Sequence, residues 1–409
     1  MKLKDFCSVL LSAALLVSSI GSSFACTVLA IKDASGNVYQ GRTNEFAGQQ
    51  PDDITYWPAC TKMESLTPDG KQGKTFNTKY GILAVTLKKL VPGAKQDTVH
   101  EGVNDQGVTI TANAMINEIP LQVSASPDKA LAATDFGVWA LGNFQNVAQV
   151  KKAIENKEVE IWLPKIPSMA NYMAPLHFAM YDKVGGNIVI EFAGGKLAVY
   201  ENPAYVMTND PPLPWHLTNM NNYAYLTNID KNTGQFNNLK VAASDSGGNM
   251  AGLPGIETSV GRFVKAAYYS NFVQKAKTPD QAVKTLSHVM NNFDRPLDIS
   301  ADKPGTASKA EAFAANKLSS ESTYFTTMND LSRNHFYLRT INSINFAKFD
   351  VRKLGALKQT KVVTFSAVNA LSNMDATELF LKWWYLLILN NRTTFGWFCY
   401  WRYEHAHFS

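Results

Sequence analysis

The chain has 409 residues, of which 45% are hydrophobic and 18% charged, and its formal net charge is +5. The small excess of basic residues is spread along the chain without a run of five or six like charges, which gives no support to nucleic-acid binding. No repeat at a fixed period is visible, so the composition predicts a soluble globular protein of one large domain or two ordinary ones.

The first element in the chain is an apolar leader. Two lysines precede an apolar run at residues 9–17, and Ser23 and Ala25 stand at the −3 and −1 positions of a cut before Cys26. This three-part pattern is typical of a secretory signal peptide, and the apolar run is too short to span a bilayer. We therefore predict a signal peptide at residues 1–25 and an exported, periplasmic or secreted, mature chain that begins at Cys26.

A cysteine at this junction has three interpretations. Cys7 leaves with the leader, and the odd number of cysteines that remains suggests one free thiol. Cys26 could be a disulfide partner or a core residue, while Cys60 and Cys399 could pair with each other or stay single and buried. Cys26 could also carry a lipid, although Phe24 at the −2 position fits a lipoprotein cleavage site poorly.

The third interpretation makes Cys26 a catalyst. A chain that begins at Cys26 has a thiol and a free α-amine on one residue, and an α-amine with a pKa near 8 accepts protons at neutral pH. A nearby cation shifts a thiol towards the thiolate. Such chemistry also requires a carboxylate to orient the amine and amide donors for an oxyanion.

The next predicted element is a β-hairpin. The sequence from Cys26 alternates apolar residues, reaches the turn "DASGN" at residues 33–37, and resumes as a strand. The second strand folds back beside the first, which could bring Arg42 and Glu45 close to Cys26. By themselves, these two residues could equally be exposed charges at a strand end.

The mature start "CT", followed after the hairpin by "GRTNE", resembles the choloylglycine hydrolases, which include penicillin V acylases and conjugated bile salt hydrolases. These proteins are N-terminal-nucleophile hydrolases. The resemblance implies that Cys26 is the nucleophile and that Arg42 is the arginine beside it. Glu45 stands where the family usually has aspartate, a change that keeps the charge and lengthens the side chain by one methylene.

Three later segments continue the resemblance. "HEGVNDQGVTITAN" (100–113) implies that Asn113 lines the oxyanion hole, and "VMTNDPPLPWHLTNMNNY" (206–223) places Asn209 on the family's catalytic asparagine. From the residues alone, Asn209 is equally a turn asparagine before two prolines. "DFGVWALGNFQNVAQVKKAIEN" is similar to the family's amphipathic helix.

The segment "SGGNMAGLPGIETSVGRFVKAAY" (246–268) places Arg262 on the second active-site arginine of the family. Ile256 and Glu257 stand where the family has an aspartate after "LPG". Without the resemblance, Arg262 could be an ordinary surface residue of an amphipathic helix.

The architecture that the resemblance implies is an α+β fold, a four-layer αββα sandwich of the N-terminal-nucleophile hydrolase type, and often a homotetramer. We predict this domain at residues 26–360, a polar loop within it at 298–320, and an appended aromatic-rich tail at 361–409. Hydrophobic patterns predict helices and strands in six further segments. The helices are at 143–156 and 258–290, and the strands at 81–88, 107–113, 187–201 and 323–349.

The function that these features favour is hydrolysis of a linear amide C–N bond through a thioester on Cys26. The substrate would be a small acyl amide such as penicillin V, a conjugated bile acid or an N-acyl amino compound. Phe46, Tyr56 and Trp57 could line an aromatic acyl pocket or could pack in the core. No motif for a nucleotide, a metal or another cofactor occurs. The alternative is a catalytically silent exported binding protein or lipoprotein on the same scaffold.

Overall fold

The computed structural model of the protein describes residues 24–46, 52–115, 119–121, 123, 126–169, 171–302 and 319–372. Three predicted segments lie wholly or mostly outside these ranges. They are residues 1–23 of the signal peptide, most of the loop at 298–320, and the part of the tail beyond residue 372, which includes Cys399.

Short strands dominate the described part of the chain. In chain order they are β1 (Phe24–Lys32), β2 (Val38–Phe46), β3 (Asp52–Trp57), β4 (Lys62–Leu66), β5 (Gln72–Asn77), β6 (Ile82–Leu87), β7 (Thr98–Asn104), β8 (Val108–Ala114), β9 (Ala130–Ala132), β10 (Glu160–Trp162), β11 (Lys165–Ile166), β12 (Tyr172–Met173), β13 (Leu176–Asp182), β14 (Asn187–Glu191), β15 (Ala198–Glu201), β16 (Val206–Met207), β17 (Thr233–Phe236), β18 (Leu239–Ala242), β19 (Ala301–Asp302), β20 (Ser319–Ser320), β21 (Ser322–Asp330), β22 (His335–Thr340), β23 (Ala347–Asp350) and β24 (Lys361–Thr364).

The α-helices lie between these strands. They are α1 (Phe136–Asn143), α2 (Val147–Glu155), α3 (Leu213–Asn219), α4 (Ser259–Phe272), α5 (Pro279–Asn291), α6 (Val351–Leu354) and α7 (Phe365–Asn369). Within the ranges given above, none of the helices is long and apolar enough to cross a membrane.

Two antiparallel sheets form the centre of the molecule. The first has six strands in the order β16-β1-β2-β21-β22-β23, and the second has eight in the order β15-β14-β13-β8-β7-β6-β3-β24. Helices α4 and α5 contact the six-stranded sheet, α1 and α2 contact the eight-stranded sheet, and β1 contacts β8 across the interface between the sheets. The layers therefore run helix, sheet, sheet, helix, which confirms the predicted αββα sandwich.

The central strands of the eight-stranded sheet are buried on both faces, and strand β6 shows how. Leu83 and Val85 belong to the core between the sheets, whereas Ile82 and Ala84 belong to the core beneath α1 and α2. Successive side chains of a strand point to opposite faces, so a strand that is covered on both sides carries a continuous apolar run. The predicted strands at 81–88 and 107–113 are confirmed as β6 and β8.

Three predicted elements are broken in the structure. The helix predicted at 258–290 is two helices, because Thr278 caps α5 by accepting a hydrogen bond from the N–H of Gln281 and Pro279 occupies its first turn. The strand predicted at 187–201 is interrupted by a turn in which Gly194 has φ 61°. The segment at 323–349 forms three strands, β21 to β23.

Two other predicted bounds also shift. The helix predicted from residue 143 begins at Val147, where Asn146 accepts a hydrogen bond from the N–H of Gln149. The sheet continues past residue 360, where the domain was expected to end, since β24 pairs with β3 at the sheet edge. The first residues of the predicted tail, 361–369, are therefore part of the folded domain.

Candidate active site

The β1–β2 hairpin determines which side chains lie beside Cys26. Asp33 closes the turn, because its carboxylate accepts hydrogen bonds from two backbone N–H groups at 2.9 Å. In the antiparallel register Cys26 lies directly opposite Asn44, and Arg42 is two residues away along β2. Opposed residues point to the same face of a sheet, as do residues two apart, so Cys26, Asn44 and Arg42 share one face. The predicted hairpin and the proximity of Arg42 to Cys26 are confirmed.

The sulfur of Cys26 is enclosed by polar groups. Its thiol donates to Asn44 Oδ1 at 3.4 Å, and Arg42 Nη2 lies 3.4 Å from Sγ. Burial raises the pKa of the Cys26 thiol above its usual value, while Arg42 acts in the opposite direction. The sequence led us to expect a cation that favours the thiolate. The cation is present, but burial outweighs it in the full-length chain, so the thiol needs a proton acceptor before it can attack.

The backbone nitrogen of Cys26 is held from the other side of the site. Its N–H donates to Asn209 Oδ1 at 2.9 Å, and the same oxygen accepts from Arg262 Nη2 at 2.8 Å. The amide nitrogen of Asn209 donates to the carbonyl of Ala114 at 2.8 Å. These bonds fix the orientation of the Asn209 amide and leave one of its two N–H groups for another acceptor.

Arg262 joins three parts of the chain. It lies in the first turn of α4, where Thr258 caps the helix by accepting a hydrogen bond from the N–H of Gly261. Its Nη1 donates to Thr27 Oγ1 at 2.8 Å and to the carbonyl of Cys26, and its Nε donates to the carbonyl of Glu257 at 2.9 Å. Arg262 is only 2% exposed, so the alternative of a surface arginine is wrong.

Asn113 supports the segment that carries Asn209. Its amide donates to the carbonyl of Thr208 at 2.8 Å, and His177 Nε2 lies 3.2 Å from the same carbonyl. After Pro211 and Pro212, the backbone N–H of Leu213 donates a hydrogen bond to Glu191 at 3.0 Å and holds the other end of the same segment. The structure therefore brings Asn113 next to Asn209, although its amide donor is directed at the backbone of Thr208 rather than at Cys26. Its predicted place in an oxyanion hole stays a prediction.

Glu45 lies at the same end of the hairpin as Cys26. It is opposite Ala25, the residue that precedes Cys26, and is only 1% exposed. Oε1 accepts from Thr323 Oγ1 at 3.2 Å, whereas Oε2 has no hydrogen-bond partner among the described residues. Burial raises the pKa of Glu45 to about 7, against the effect of Arg262 and Arg295. A buried carboxylate oxygen without a donor is costly, so this one is suited to receive a positively charged group.

Comparison with known proteins identifies the relatives of this site. The sequence model described as "Linear amide C-N hydrolases, choloylglycine hydrolase family" matches residues 26–365. The chain belongs to this family. Its resemblance to choloylglycine hydrolases is thereby confirmed, and with it the assignment of the protein as a linear amide C–N hydrolase.

Individual proteins resemble this chain in sequence or in fold. The "Bile salt hydrolase/transferase" of Clostridium perfringens is 28% identical over 273 residues, which cover 65% of this chain and 78% of that protein. A mutant of the conjugated bile acid hydrolase from Clostridium perfringens has a similar fold, with a TM-score of 0.67 at 22% identity, covering 84% of this chain and 97% of that one. The penicillin V acylase from Agrobacterium tumefaciens gives a TM-score of 0.63 at 19% identity, with coverage of 82% and 90%.

The three aromatic residues predicted to line an acyl pocket have different positions. Tyr56 lies in the core between the sheets, and Trp57 lies in the core beneath α1 and α2. Both side chains are almost fully buried, and they lie on opposite faces of β3. They therefore pack in the core, which was the alternative interpretation, and do not line one shared pocket. Phe46 is buried at the end of β2. Its role in a choloylglycine hydrolase pocket stays a prediction.

Several polar residues near the site were not anticipated from the sequence. They are Asn44, Asp52, His100, His177 and Glu191, all of which are buried. Asn44 lies inside "GRTNE", but the other four lie on strands of the eight-stranded sheet. In the sequence, such a residue could be noticed only as a polar residue within an otherwise apolar strand. No local motif marks a residue of this kind as functional.

Two further features concern possible metal ligands and thiols in the described part of the chain. There, no group of three or more His, Cys, Asp or Glu side chains could hold a metal ion. Cys26 and Cys60 both have free thiols, the first buried and the second exposed. The expectation that an unpaired Cys60 would be buried is therefore wrong.

Proposed function

We propose that the chain is an exported amide hydrolase in which Cys26, freed at the N-terminus by cleavage after Ala25, is the nucleophile. The observation that carries this proposal is that both reactive atoms of one residue are held in place. Sγ lies 3.4 Å from Arg42 Nη2, and the backbone nitrogen lies 2.9 Å from Asn209 Oδ1. The match to the family also begins at residue 26.

The proposed reaction has two stages, formation of the thioester on Cys26 and its hydrolysis. The α-amine of Cys26 takes the thiol proton, and the sulfur attacks the carbonyl carbon of the amide. The tetrahedral intermediate breaks its C–N bond, and the departing amine takes the proton from the α-ammonium group. Water then attacks the thioester while the α-amine accepts a proton from that water. The proton passes to the leaving sulfur, which releases the carboxylic acid and restores the thiol.

The surrounding residues have separate roles in this proposal. The free N–H of Asn209 donates to the developing oxyanion, and one such donor typically lowers a barrier by about 3 kcal/mol. Arg42 stabilises the thiolate, and Arg262 orients Asn209 through its bond to Oδ1. Glu45 receives the α-ammonium group with its unpaired Oε2. Asn113 holds the segment that carries Asn209 through its bond to the carbonyl of Thr208.

The proposed substrate is a small acyl amide of the penicillin V, conjugated bile acid or N-acyl amino class. The activities of the sequence relatives support this range, since they include a bile salt hydrolase/transferase and a penicillin V acylase. Export is supported by the leader, and a periplasmic or extracellular location is the one that the leader predicts.

A three-substrate panel tests the proposed function. The processed chain is incubated with penicillin V, glycocholate and a long-chain N-acyl homoserine lactone, and the released amine is measured. We expect turnover of at least one, with a burst of amine release that matches the amount of enzyme when thioester hydrolysis is slow.

Failure on all three substrates would favour the silent binding protein over the enzyme. Intact mass of the mature chain distinguishes the lipoprotein alternative, because added acyl mass on Cys26 would block both the thiol and the amine. A mass that corresponds to a free N-terminal Cys26 would agree with the enzyme.

We also propose that the protein assembles as a homotetramer. The hairpin of β17 and β18 carries large exposed apolar side chains, and Ile229 in the preceding loop adds another. The exposed fractions are 70% for Phe236, 63% for Leu239 and 71% for Ile229. Phe236 and Leu239 pair across the hairpin, and neighbouring exposed apolar side chains are typical of a protein–protein interface, so a second copy of the chain is the proposed partner.

The assembly is tested by light scattering after size-exclusion chromatography. We expect a mass of four copies for the wild-type chain and a smaller assembly for Phe236→Asp combined with Leu239→Asp. Val184→Asp is the matched control, since Val184 is 78% exposed in the turn between β13 and β14. A monomeric wild-type chain at micromolar concentration would contradict the homotetramer.

A further inference from the structure

A row of buried side chains continues from Cys26 into the eight-stranded sheet. Arg42 on β2 reaches across the sheet interface, where its Nη2 lies 2.9 Å from His100 Nε2 on β7. On the far side of the ring, His100 Nδ1 lies 3.6 Å from Asp52 Oδ1 on β3. His100 and Asp52 are 5% and 6% exposed, and Arg42 is fully buried. Cys26, Arg42, His100 and Asp52 thus form a continuous series of contacts that spans both sheets.

The direction of the hydrogen bond is fixed by chemistry. A guanidinium group carries hydrogens on every nitrogen and accepts none, so His100 Nε2 must be the acceptor. A ring that accepts at Nε2 is neutral and carries its hydrogen on Nδ1, the atom that lies nearest to Asp52. Burial, with a smaller effect of Arg42, lowers the pKa of His100 and keeps this neutral form.

The hydrogen bonds of Arg42 converge on one of its nitrogens. Four acceptors surround Nη2, which has only two hydrogens: Cys26 Sγ, Asn44 Oδ1, His100 Nε2 and the carbonyl of Ala112. Nε and Nη1 have no hydrogen-bond partner among the described residues. Among these hydrogen-bond contacts His100 is the one side chain from the eight-stranded sheet. The ring of Phe325 also lies 5.1 Å from the guanidinium carbon. His100 therefore contributes to the orientation of the guanidinium towards the sulfur.

Asp52 is a buried carboxyl group at the start of β3. Both of its carboxyl oxygens are buried and have no hydrogen-bond partner among the described residues, and a buried polar group in that state requires an explanation. Burial raises the pKa of Asp52 to about 8, so the protonated and ionised forms are both accessible near neutrality. Either form retains an acceptor oxygen that faces the Nδ1–H of His100 across 3.6 Å, just beyond hydrogen-bond distance, so a small movement of either side chain would join them.

We infer that His100 and Asp52 are positioning residues for Arg42, and that through Arg42 they tune the reactivity of the Cys26 thiol. This inference rests on the proposed function, since it assigns both residues to the same site. The groups that face His100 are Arg42 and Asp52. Asp53 acts on Asp52 in turn, and Glu101 lies near Arg42. Arg42 connects the row to Cys26, on which Glu45 and Arg262 also act.

The test measures the rate of Cys26 alkylation by iodoacetamide as a function of pH, in the processed full chain, with kcat/KM for the best panel substrate. For His100→Leu we expect the pH midpoint of alkylation to rise by roughly one unit, which slows alkylation at pH 7 about tenfold. His100→Gln keeps an acceptor and should recover most of the rate. His335→Leu is the control, since His335 lies beside Asp350 on the same fold, away from the site.

Asp52 supplies the second pair of variants. Asp52→Ala should raise the midpoint in the same direction, whereas Asp52→Asn keeps the acceptor oxygen and should stay near the wild-type value. This pair decides the question if His100→Leu does not fold. A midpoint that is unchanged or lowered in both His100→Leu and Asp52→Ala, with wild-type kcat/KM, would overturn the inference. Because alkylation needs no substrate, it reports on the inference even if the wild-type chain hydrolyses none of the panel amides.

Discussion

Replacing Cys26 with serine is expected to lower amide hydrolysis by about three orders of magnitude or more while the chain still folds and is exported. A hydroxyl has a far higher pKa than a thiol, so an α-amine with a pKa near 8 removes its proton poorly. The oxygen can still occupy the place of the sulfur beside Arg42 and Asn44, which is why we expect the fold to survive. The measurement is the initial rate of amine release, with circular dichroism as the check on folding.

The matched control for this variant is Cys60→Ser. Cys60 has the other free thiol of the described residues and is exposed, so its replacement should leave the rate unchanged. Iodoacetamide should likewise inactivate the enzyme in step with alkylation of Cys26 and not of Cys60. A Cys26→Ser chain that keeps a tenth or more of the wild-type rate would exclude the sulfur as the nucleophile.

Retaining Ala25 in front of Cys26 is expected to abolish hydrolysis. In the full-length chain the nitrogen of Cys26 is a peptide N–H that donates to Asn209 Oδ1, and a peptide nitrogen has no useful proton affinity. Ala25 also lies opposite Glu45 in the hairpin, so it occupies the end of β1 where the α-ammonium group would meet the unpaired Oε2. Cleavage would therefore create the base and give the buried carboxylate its partner in one step.

The comparison uses two preparations that differ only at the N-terminus. One begins at Ala25 and the other at Cys26, both verified by intact mass, and both are assayed with the same substrate. Since the sulfur and its neighbours are identical in the two chains, a difference in rate reports on the α-amine. Equal rates would falsify a mechanism in which that amine is the base.

Local patterns were sufficient for much of the fold. The turn at residues 33–37 and the alternation on both sides predicted the β1–β2 hairpin, because turn residues and strand periodicity are properties of neighbouring residues. The break between α4 and α5 was also readable in principle, since Thr278 and Pro279 form a helix start. It was missed because the apolar pattern continues across it. The burial of Tyr56 and Trp57 on opposite faces of β3 followed only once both faces were known to be covered.

The sequence by itself determined that a hairpin returns Arg42 and Glu45 to Cys26 and that four motifs occur in the order of one family. The cleavage that the leader before Cys26 indicates stays a prediction. Tertiary structure alone decided how these parts meet. Asn209 and Arg262 reach Cys26 across separations of 183 and 236 residues, and Arg42 reaches His100 across 58. No local pattern encodes such contacts, because they arise where two sheets and a helix pack together. The same packing buries the thiol and raises its pKa, although the sequence had predicted the opposite from the nearby arginine.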